Sequence, residues 1–186
     1  MSDSDNELNV KGLAQILPYL WIGTADVASD SKVLKQHKFD CIINCASEDV
    51  DNFFPTEYTY HTFPIEDLES YDITPHFAPF YDIVTAVKEN KQKCLVHCTT
   101  GKSISPTLIL SYMMQSAKNQ DKVLSLKKAF EHINSRYIGI NPNDTFMSDL
   151  IALEESLFET TSLRIKSQGR SSGKPTYARG KGKRGK

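Results

Sequence analysis

The sequence predicts an α/β domain with a central sheet flanked by helices. Short apolar runs of strand length alternate with amphipathic helical segments, and only helices follow the last of these runs. The clearest unit is an apolar run from Cys94 to Val96, a loop of small and polar residues around Gly101, and an apolar helix with Pro106 in its first turn. With 186 residues, 39% hydrophobic and 24% charged, the chain fits one domain with two extra ends.

The elements before this unit follow from periodicity and from the residues that end each run. A first strand containing Trp21 is closed by Gly23, and a later alternating run stops at Pro64. The run over residues 41–45 is too short and too β-branched for a helix, which indicates a buried strand. The predicted elements are a strand over 17–22, a helix over 31–37, a strand over 41–45 and a strand over 58–63.

Three further helices are predicted from capping residues and apolar faces. One begins at Asp72 or Thr74 with Pro75 in its first turn, one is capped by Asp121, and the last starts near Asn143. Each has apolar residues at helical spacing, which predicts a buried face. The predicted inner faces comprise Phe77, Phe80, Tyr81, Val84 and Val87, then Val123, Leu126, Phe130 and Ile133, and finally Phe146, Met147, Leu150, Ile151, Leu157 and Phe158.

The two ends differ from the middle in charge. Residues 164–186 hold nine Lys or Arg and no acidic residue, which leaves 13 basic and 23 acidic residues in the rest of the chain. Low apolar content predicts disorder, so we expect a disordered acidic segment over 1–10, a folded domain over 11–160 and a disordered basic tail over 161–186. The tail fits a solubilising or self-associating segment, a nuclear import signal, or contact with RNA or another polyanion through 164–186.

Composition also limits the compartment and the cofactors. No apolar run approaches the roughly 20 residues of a membrane span, and the polar, acidic residues 1–9 are unlike a secretory signal. Cys94 and Cys98 lie about 13 Å apart along a strand, too far to bridge, and no Cys or His spacing indicates zinc. We therefore expect a monomer in the cytoplasm or nucleus, with no metal and no cofactor.

The loop after Val96 has the chemistry of an anion site. Its backbone N–H groups and the start of the following helix suit a phosphate dianion. Cys98 lies at the mouth of this loop, where the helix end stabilises a thiolate.

This stretch resembles the signature loop of the cysteine-dependent protein phosphatases, in which His-Cys is followed by five residues and an Arg. His97, Cys98, Gly101 and Ser105 match that pattern, but Ile104 stands where the family has Arg. The order and spacing of further motifs resemble the dual-specificity phosphatases over almost all of residues 13–158. Those motifs are 16–23, 42–44, 64–67, 105–114, Arg136 and 141–146.

The resemblance implies a role for each site residue. Cys98 would attack phosphorus, Asp67 would protonate the leaving oxygen, and Ser105 would donate to the leaving thiolate. His97 would hold the loop and favour the thiolate. The implied phosphate-binding set is His97, Thr99, Thr100, Gly101, Lys102, Ser103 and Ile104.

The missing Arg leaves two functional classes open. The first is a catalytically impaired pseudophosphatase that binds phosphorylated proteins, kinases among them; it resembles the serine/threonine/tyrosine-interacting proteins, which usually lose the Cys that this chain keeps. The second is a slow protein phosphatase in which Lys102 contacts phosphate as a point charge, with an RNA 5′-triphosphatase as a minor variant. The plainer interpretations are a buried structural thiol for Cys98, a turn cap for Asp67 and a solvated loop residue for Lys102.

Overall fold

The structure, a computed structural model, describes residues 10–164. The disorder predicted for 1–9 and for 165–186 lies outside the described residues. The strands are β1 (Leu13–Leu17), β2 (Leu20–Gly23), β3 (Cys41–Asn44), β4 (Thr59–Thr62) and β5 (Cys94–His97). The helices are α1 (Ala25–Ala28), α2 (Ser31–His37), α3 (Phe77–Glu89), α4 (Ile104–Lys118), α5 (Leu126–Arg136) and α6 (Asp144–Phe158), with a short 3-10 turn (Thr74–His76) before α3.

The five strands form one mixed sheet in the order β1-β2-β5-β3-β4. β1 pairs with β2 antiparallel, whereas β2, β5, β3 and β4 run parallel to one another. Every residue of β2, β3 and β5 is buried. The carboxyl ends of the parallel strands therefore meet at one edge of the sheet, the edge at which α/β proteins place their ligand sites.

Helices cover both faces of this sheet, which confirms the predicted fold class. The larger core takes residues from α3, α4, α5 and α6, and α4 buries 12 of its 15 residues. The smaller core joins Trp21 and Leu95 to Val27 of α1 and Leu34 of α2. A helix buried on nearly all sides lies at the centre of the domain, so the start of α4 is held firmly.

The amino-terminal part differs from the prediction of one strand over 17–22. It is a hairpin, in which β1 ends at Leu17, β2 begins at Leu20, and Leu17 pairs with Leu20. Pro18 lies in the turn between the strands, a position that suits its fixed φ angle. The short helix α1 was not predicted, although Thr24 caps it by accepting a hydrogen bond from Val27 N–H at 3.3 Å.

The start of α5 also differs from the prediction. Asp121 does not cap this helix; it has a φ of +56°, and the cap is Ser125, whose hydroxyl accepts from Lys128 N–H at 3.3 Å. Val123 is 73% exposed, so it does not belong to the inner face. In contrast, α2 and the Asn143 cap of α6 are confirmed.

The fully buried Glu154 joins α6 to α5 and to the residues after α6. Its Oε1 accepts from Leu126 N–H at 2.8 Å, and its Oε2 accepts from Ser162 N–H at 2.7 Å. Ser162 Oγ accepts from Lys127 N–H at 3.0 Å, and Leu163 is buried. Contacts with the domain thus continue past residue 160, where the sequence predicted its end. None of the helices within residues 10–164 is both long and apolar enough to cross a bilayer.

Candidate active site

The loop of residues 98–103 joins β5, the central strand, to the start of α4. Cys98 is 3% exposed, and its Sγ accepts a hydrogen bond from Gly101 N–H at 3.2 Å. Ser105 Oγ lies 3.3 Å from the same sulfur. The structure therefore brings Cys98, Gly101 and Ser105 together, and surrounds the sulfur with a backbone donor and a hydroxyl.

Gly101 fixes the shape of this loop. Its φ of +71° lies in the left-handed region, and a Cβ at this position would collide with Tyr137 Oη and lie 2.9 Å from the carbonyl oxygen of Gly23. Tyr137 is buried against the loop and donates to Thr100 O at 3.4 Å. Burial and the nearby Cys98 raise the pKa of Tyr137 to about 12, so its phenol is neutral at pH 7. The contact of Tyr137 with the loop has no signal in the local sequence.

Asp67 reaches this loop from the segment after β4. Its Oδ1 accepts from Ser103 Oγ at 2.7 Å and from Asn143 Nδ2 at 2.9 Å. Asn143 N–H donates to Ser103 Oγ at 3.2 Å, and Asn143 Oδ1 caps α6 by accepting from Phe146 N–H at 2.9 Å. Asn143 therefore connects Asp67, the loop and a helix start through one side chain.

Two more hydrogen bonds tie the segment before α6 to both sides of the site. Asn141 N–H donates to Lys102 O at 2.6 Å, and Thr145 Oγ1 donates to Glu69 O at 2.7 Å. Sequence reasoning identified Asp67 and Ser103 but missed the part that Asn143 plays between them. Asn143 was visible as a helix cap, whereas its contacts 76 and 40 residues away depend on the tertiary fold.

The side chains implied to bind phosphate divide into two groups. Thr99, Thr100 and Lys102 are exposed, whereas Ser103 is buried. Ile104 is 3% exposed and belongs to the larger core. The position at which the resemblance implies a phosphate-binding Arg is thus occupied by a buried apolar side chain.

His97 is fully buried at the end of β5. Burial lowers its pKa from the usual 6.5 to about 4, so the imidazole is neutral at pH 7. A neutral ring brings no positive charge to the Cys98 thiol, so the role implied for His97 at the loop stays a prediction. Among residues 10–164, no three His, Cys, Asp or Glu side chains are grouped to hold a metal ion.

The buried His97 predicts a loss of stability in mild acid. Because its pKa is lower in the folded state than in the unfolded state, the unfolded chain binds the extra proton between pH 6.5 and 4. Stability is therefore full above pH 6.5 and falls as the pH drops, by up to about 3 kcal/mol at pH 4. Urea unfolding at several pH values measures this, and His97→Asn should flatten the curve; an unchanged slope in the variant would contradict the prediction.

The loop also predicts which thiol reacts first. Burial raises the pKa of Cys45 and Cys94 well above the usual value, whereas Cys98 has an N–H donor at its sulfur. Near pH 7, Cys98 should be alkylated faster than the other three cysteines. Cys41 is the competitor to resolve, because the Cys94 thiol lowers its pKa. Peptide mapping after a short exposure to iodoacetamide measures the order, and modification of Cys41 before Cys98 would contradict it.

A mixed sheet with four parallel strands, a cysteine loop at their carboxyl edge and a carboxylate on the adjoining segment together define a cysteine-dependent phosphatase domain. A family model for the dual specificity phosphatase catalytic domain matches residues 20–156. The chain belongs to the dual-specificity phosphatase family. It is 34% identical over 150 residues to dual specificity protein phosphatase 5 of Rattus norvegicus. The aligned region covers 81% of this chain and 38% of that protein.

Solved structures agree with this assignment. Human DUSP28 superposes with a TM-score of 0.70 at 26% identity, over 80% of this chain and 96% of that one. The human tyrosine phosphatase-like serine/threonine/tyrosine-interacting protein superposes with a TM-score of 0.69 at 24% identity, over 80% and 98% of the two chains, and shares the fold. The chain spans a little over a third of the length of the curated relatives it matches.

Proposed function

We propose that this chain is a catalytically impaired member of its family, a pseudophosphatase that binds phosphorylated proteins. The observation that carries the proposal is Ile104, a buried apolar residue at the position of the phosphate-binding Arg. An Arg guanidinium grips two phosphate oxygens with a planar fork and stabilises the charge of the transition state. Arginines that act on phosphoryl groups contribute on the order of 10³–10⁵ in rate, so their absence is a large loss.

The rest of the loop retains groups that bind a phosphate. α4 is 15 residues long, and its first N–H groups face the loop end, where a helix favours an anion. Thr99, Thr100 and Lys102 are exposed beside it and supply two hydroxyls and one positive charge. The fitting ligand is a phosphorylated side chain of a partner protein, a kinase among the candidates. We place this function in a monomer of the cytoplasm or nucleus.

A slow protein phosphatase is the second candidate, because the groups that carry the chemistry remain close together. Cys98 Sγ lies 3.3 Å from Ser105 Oγ, and Asp67 is hydrogen-bonded to Ser103 of the same loop. In this alternative, Lys102 replaces the Arg as a point charge without the two parallel hydrogen bonds of a guanidinium. An RNA 5′-triphosphatase is a minor variant of it, favoured by the basic residues 164–186.

Turnover and binding measured on one preparation separate these candidates. The wild-type chain should bind phosphopeptides more tightly than their unphosphorylated forms and hydrolyse p-nitrophenyl phosphate barely above background. Lys102→Ala should weaken binding, with Lys118→Ala as a control on the surface at the far end of α4. A wild-type turnover rate typical of phosphatases, lost in Lys102→Ala, would favour the second candidate. Hydrolysis of RNA 5′-triphosphate ends would favour the RNA 5′-triphosphatase variant of the second candidate.

The basic tail predicts a salt-dependent contact with polyanions. Nine positive charges without an acid should bind RNA or heparin regardless of sequence, because counterions leave the polyanion. Deleting residues 165–186 removes eight of those nine charges and should abolish retention on heparin at low salt. Retention that the deletion leaves unchanged would place the contact elsewhere on the chain.

A further inference from the structure

A cavity of about 330 Å³ lies at the edge of the sheet opposite to the cysteine loop. Its lining includes Leu17 at the end of β1, Tyr19 in the turn before β2, and Ala117 near the end of α4. Tyr19 O accepts from Cys94 N–H at 2.9 Å, so the cavity adjoins the amino end of β5. Cavities that bind small molecules measure about 300–1,000 Å³, so this one has room for a ligand of modest size.

The inner wall of the cavity is apolar. Leu17 and Leu124 are half-buried and pack on the larger core, and Met113 and Ala117 are buried. Val123 also lines the cavity, and because it is 73% exposed it belongs to the open side. An apolar group that enters the cavity removes this surface from water, which favours binding.

Two tyrosine hydroxyls meet at the wall of the cavity. Tyr19 Oη and Tyr112 Oη lie 2.8 Å apart, and the two rings are nearly perpendicular. Burial raises the pKa of both phenols, so both are neutral at pH 7. The tyrosine pair therefore adds no negative charge to the cavity.

Two lysines make the mouth of the cavity positive. Lys88 Nζ lies 6.0 Å from the centre of the Tyr19 ring, a cation–π contact that holds the ammonium group beside the cavity. Lys122 Nζ donates to Gln120 Oε1 at 3.5 Å, and both residues belong to the lining. The described lining residues include no carboxylate, and the two ion pairs within residues 10–164 involve other lysines. Both ammonium groups are therefore available to an anion.

We propose that this cavity binds a small amphipathic anion, a carboxylate with an aliphatic body. The body lies against Leu17 and Met113, and the carboxylate lies between the ammonium groups of Lys88 and Lys122. Hydrogen bonds between an ammonium and a carboxylate are charge-assisted and stronger than neutral ones. The same positive charge disfavours the basic residues 165–186 of the chain as an occupant.

The cavity and the proposed phosphate site lie at opposite ends of α4. This helix begins with Ile104 beside the cysteine loop and has 15 residues, a length of about 22 Å at 1.5 Å per residue. A ligand in the cavity therefore does not touch the loop. The inference is independent of the proposed function, and saturating inorganic phosphate should leave binding in the cavity unchanged.

NMR titration of the isotopically labelled full chain with sodium octanoate tests the proposal. Octanoate is small, so we expect saturable shifts with a dissociation constant on the order of 1 mM, centred on the amides of residues 113–124. Octylammonium has the same body and the opposite charge, and it should bind at least about tenfold more weakly. Equal binding of the two ions, shifts centred on the cysteine loop, competition by phosphate, or no saturable shift would each overturn the proposal.

Substitutions at the exposed mouth identify the groups that hold the anion. Lys88→Gln and Lys122→Gln should each weaken octanoate binding by about threefold to tenfold, whereas Lys32→Gln, at an exposed lysine of α2, should leave it unchanged. Val123→Asp places a carboxylate at the mouth and should abolish binding, with Ile138→Asp as the matched control at another exposed apolar residue. Octanoate binding that neither lysine variant weakens would contradict the proposal.

Two other occupants would give different results. If the acidic residues 1–9 of the chain fill the cavity, octanoate should bind only after their deletion. If the lysines receive an acidic segment of a partner protein, an oligoglutamate peptide should shift the amides of residues 113–124 in the full chain and octanoate should not. Either result would rule out a small carboxylate as the ligand.

Discussion

Replacing Ile104 by Arg should raise kcat/KM on p-nitrophenyl phosphate by on the order of 10²–10⁴, about 3–5 kcal/mol of transition-state stabilisation. The gain is expected because Cys98, Ser105 and Asp67 are already grouped around the loop. The new guanidinium would add the two parallel hydrogen bonds that the loop lacks. Steady-state kinetics of both proteins under one condition measures the change.

Two controls identify the source of the gain. Ile104→Lys supplies a charge without the planar fork, so it should recover only a small part of the rate. Adding Cys98→Ser to Ile104→Arg should abolish the gain, because the nucleophile is lost. Adding Asp67→Asn should reduce it, though less for an activated leaving group that hardly needs a proton.

The opposite outcomes are equally informative. A wild type that already turns over at an ordinary phosphatase rate, and that Arg hardly changes, would contradict the pseudophosphatase proposal. A folded Ile104→Arg chain with no activity would show that the loop has repacked around position 104. The domain would then serve as a binding scaffold only.

Gly101→Ala should lower the free energy of unfolding by roughly 2–5 kcal/mol. The positive φ costs a residue with a Cβ about 1–2 kcal/mol, and forcing an atom into packed surroundings costs about 1–3 kcal/mol more. The added Cβ would meet Tyr137 Oη and the carbonyl oxygen of Gly23, a backbone atom that moves little. Urea unfolding measures the loss, and phosphopeptide binding should disappear with the loop geometry.

Gly139 offers the matched control for this substitution. Its φ is +90°, and a Cβ built there has nothing within 4 Å. Gly139→Ala should therefore show the backbone cost alone, about 1–2 kcal/mol. Combining Gly101→Ala with Tyr137→Phe should return part of the loss, because the hydroxyl that would collide is gone. Equal losses of unfolding free energy at Gly101 and Gly139 would show that the collision does not destabilise the fold.

Sequence patterns predicted the parts of the fold that depend on near neighbours. The β-branched run in β3 and the Asn143 cap of α6 act within a few residues, so periodicity and capping rules apply to them. The hairpin between β1 and β2 was not predicted, because its two-residue turn, Pro18 and Tyr19, interrupts an apolar run only briefly.

The helix start at α5 and the far contacts of the site could not be predicted in this way. Asp121 and Ser125 are both good caps, and the choice falls to Ser125 because Glu154 of a distant helix accepts from Leu126 N–H. Asp67 and Ser103 were identified because their positions match motifs of the dual-specificity phosphatases. Their bond to Asn143 depends on a loop that closes over 76 residues of chain.

The place of β5 in the sheet has a consequence for hydrogen exchange. β5 is flanked on both sides by fully buried strands, so its amides should exchange only when the whole domain unfolds. β4 lies at the edge of the sheet with its first and last residues exposed, and Asp67 follows it. We therefore expect the amides of β5 to be protected longest, and those of β4 to exchange earlier through local fluctuations.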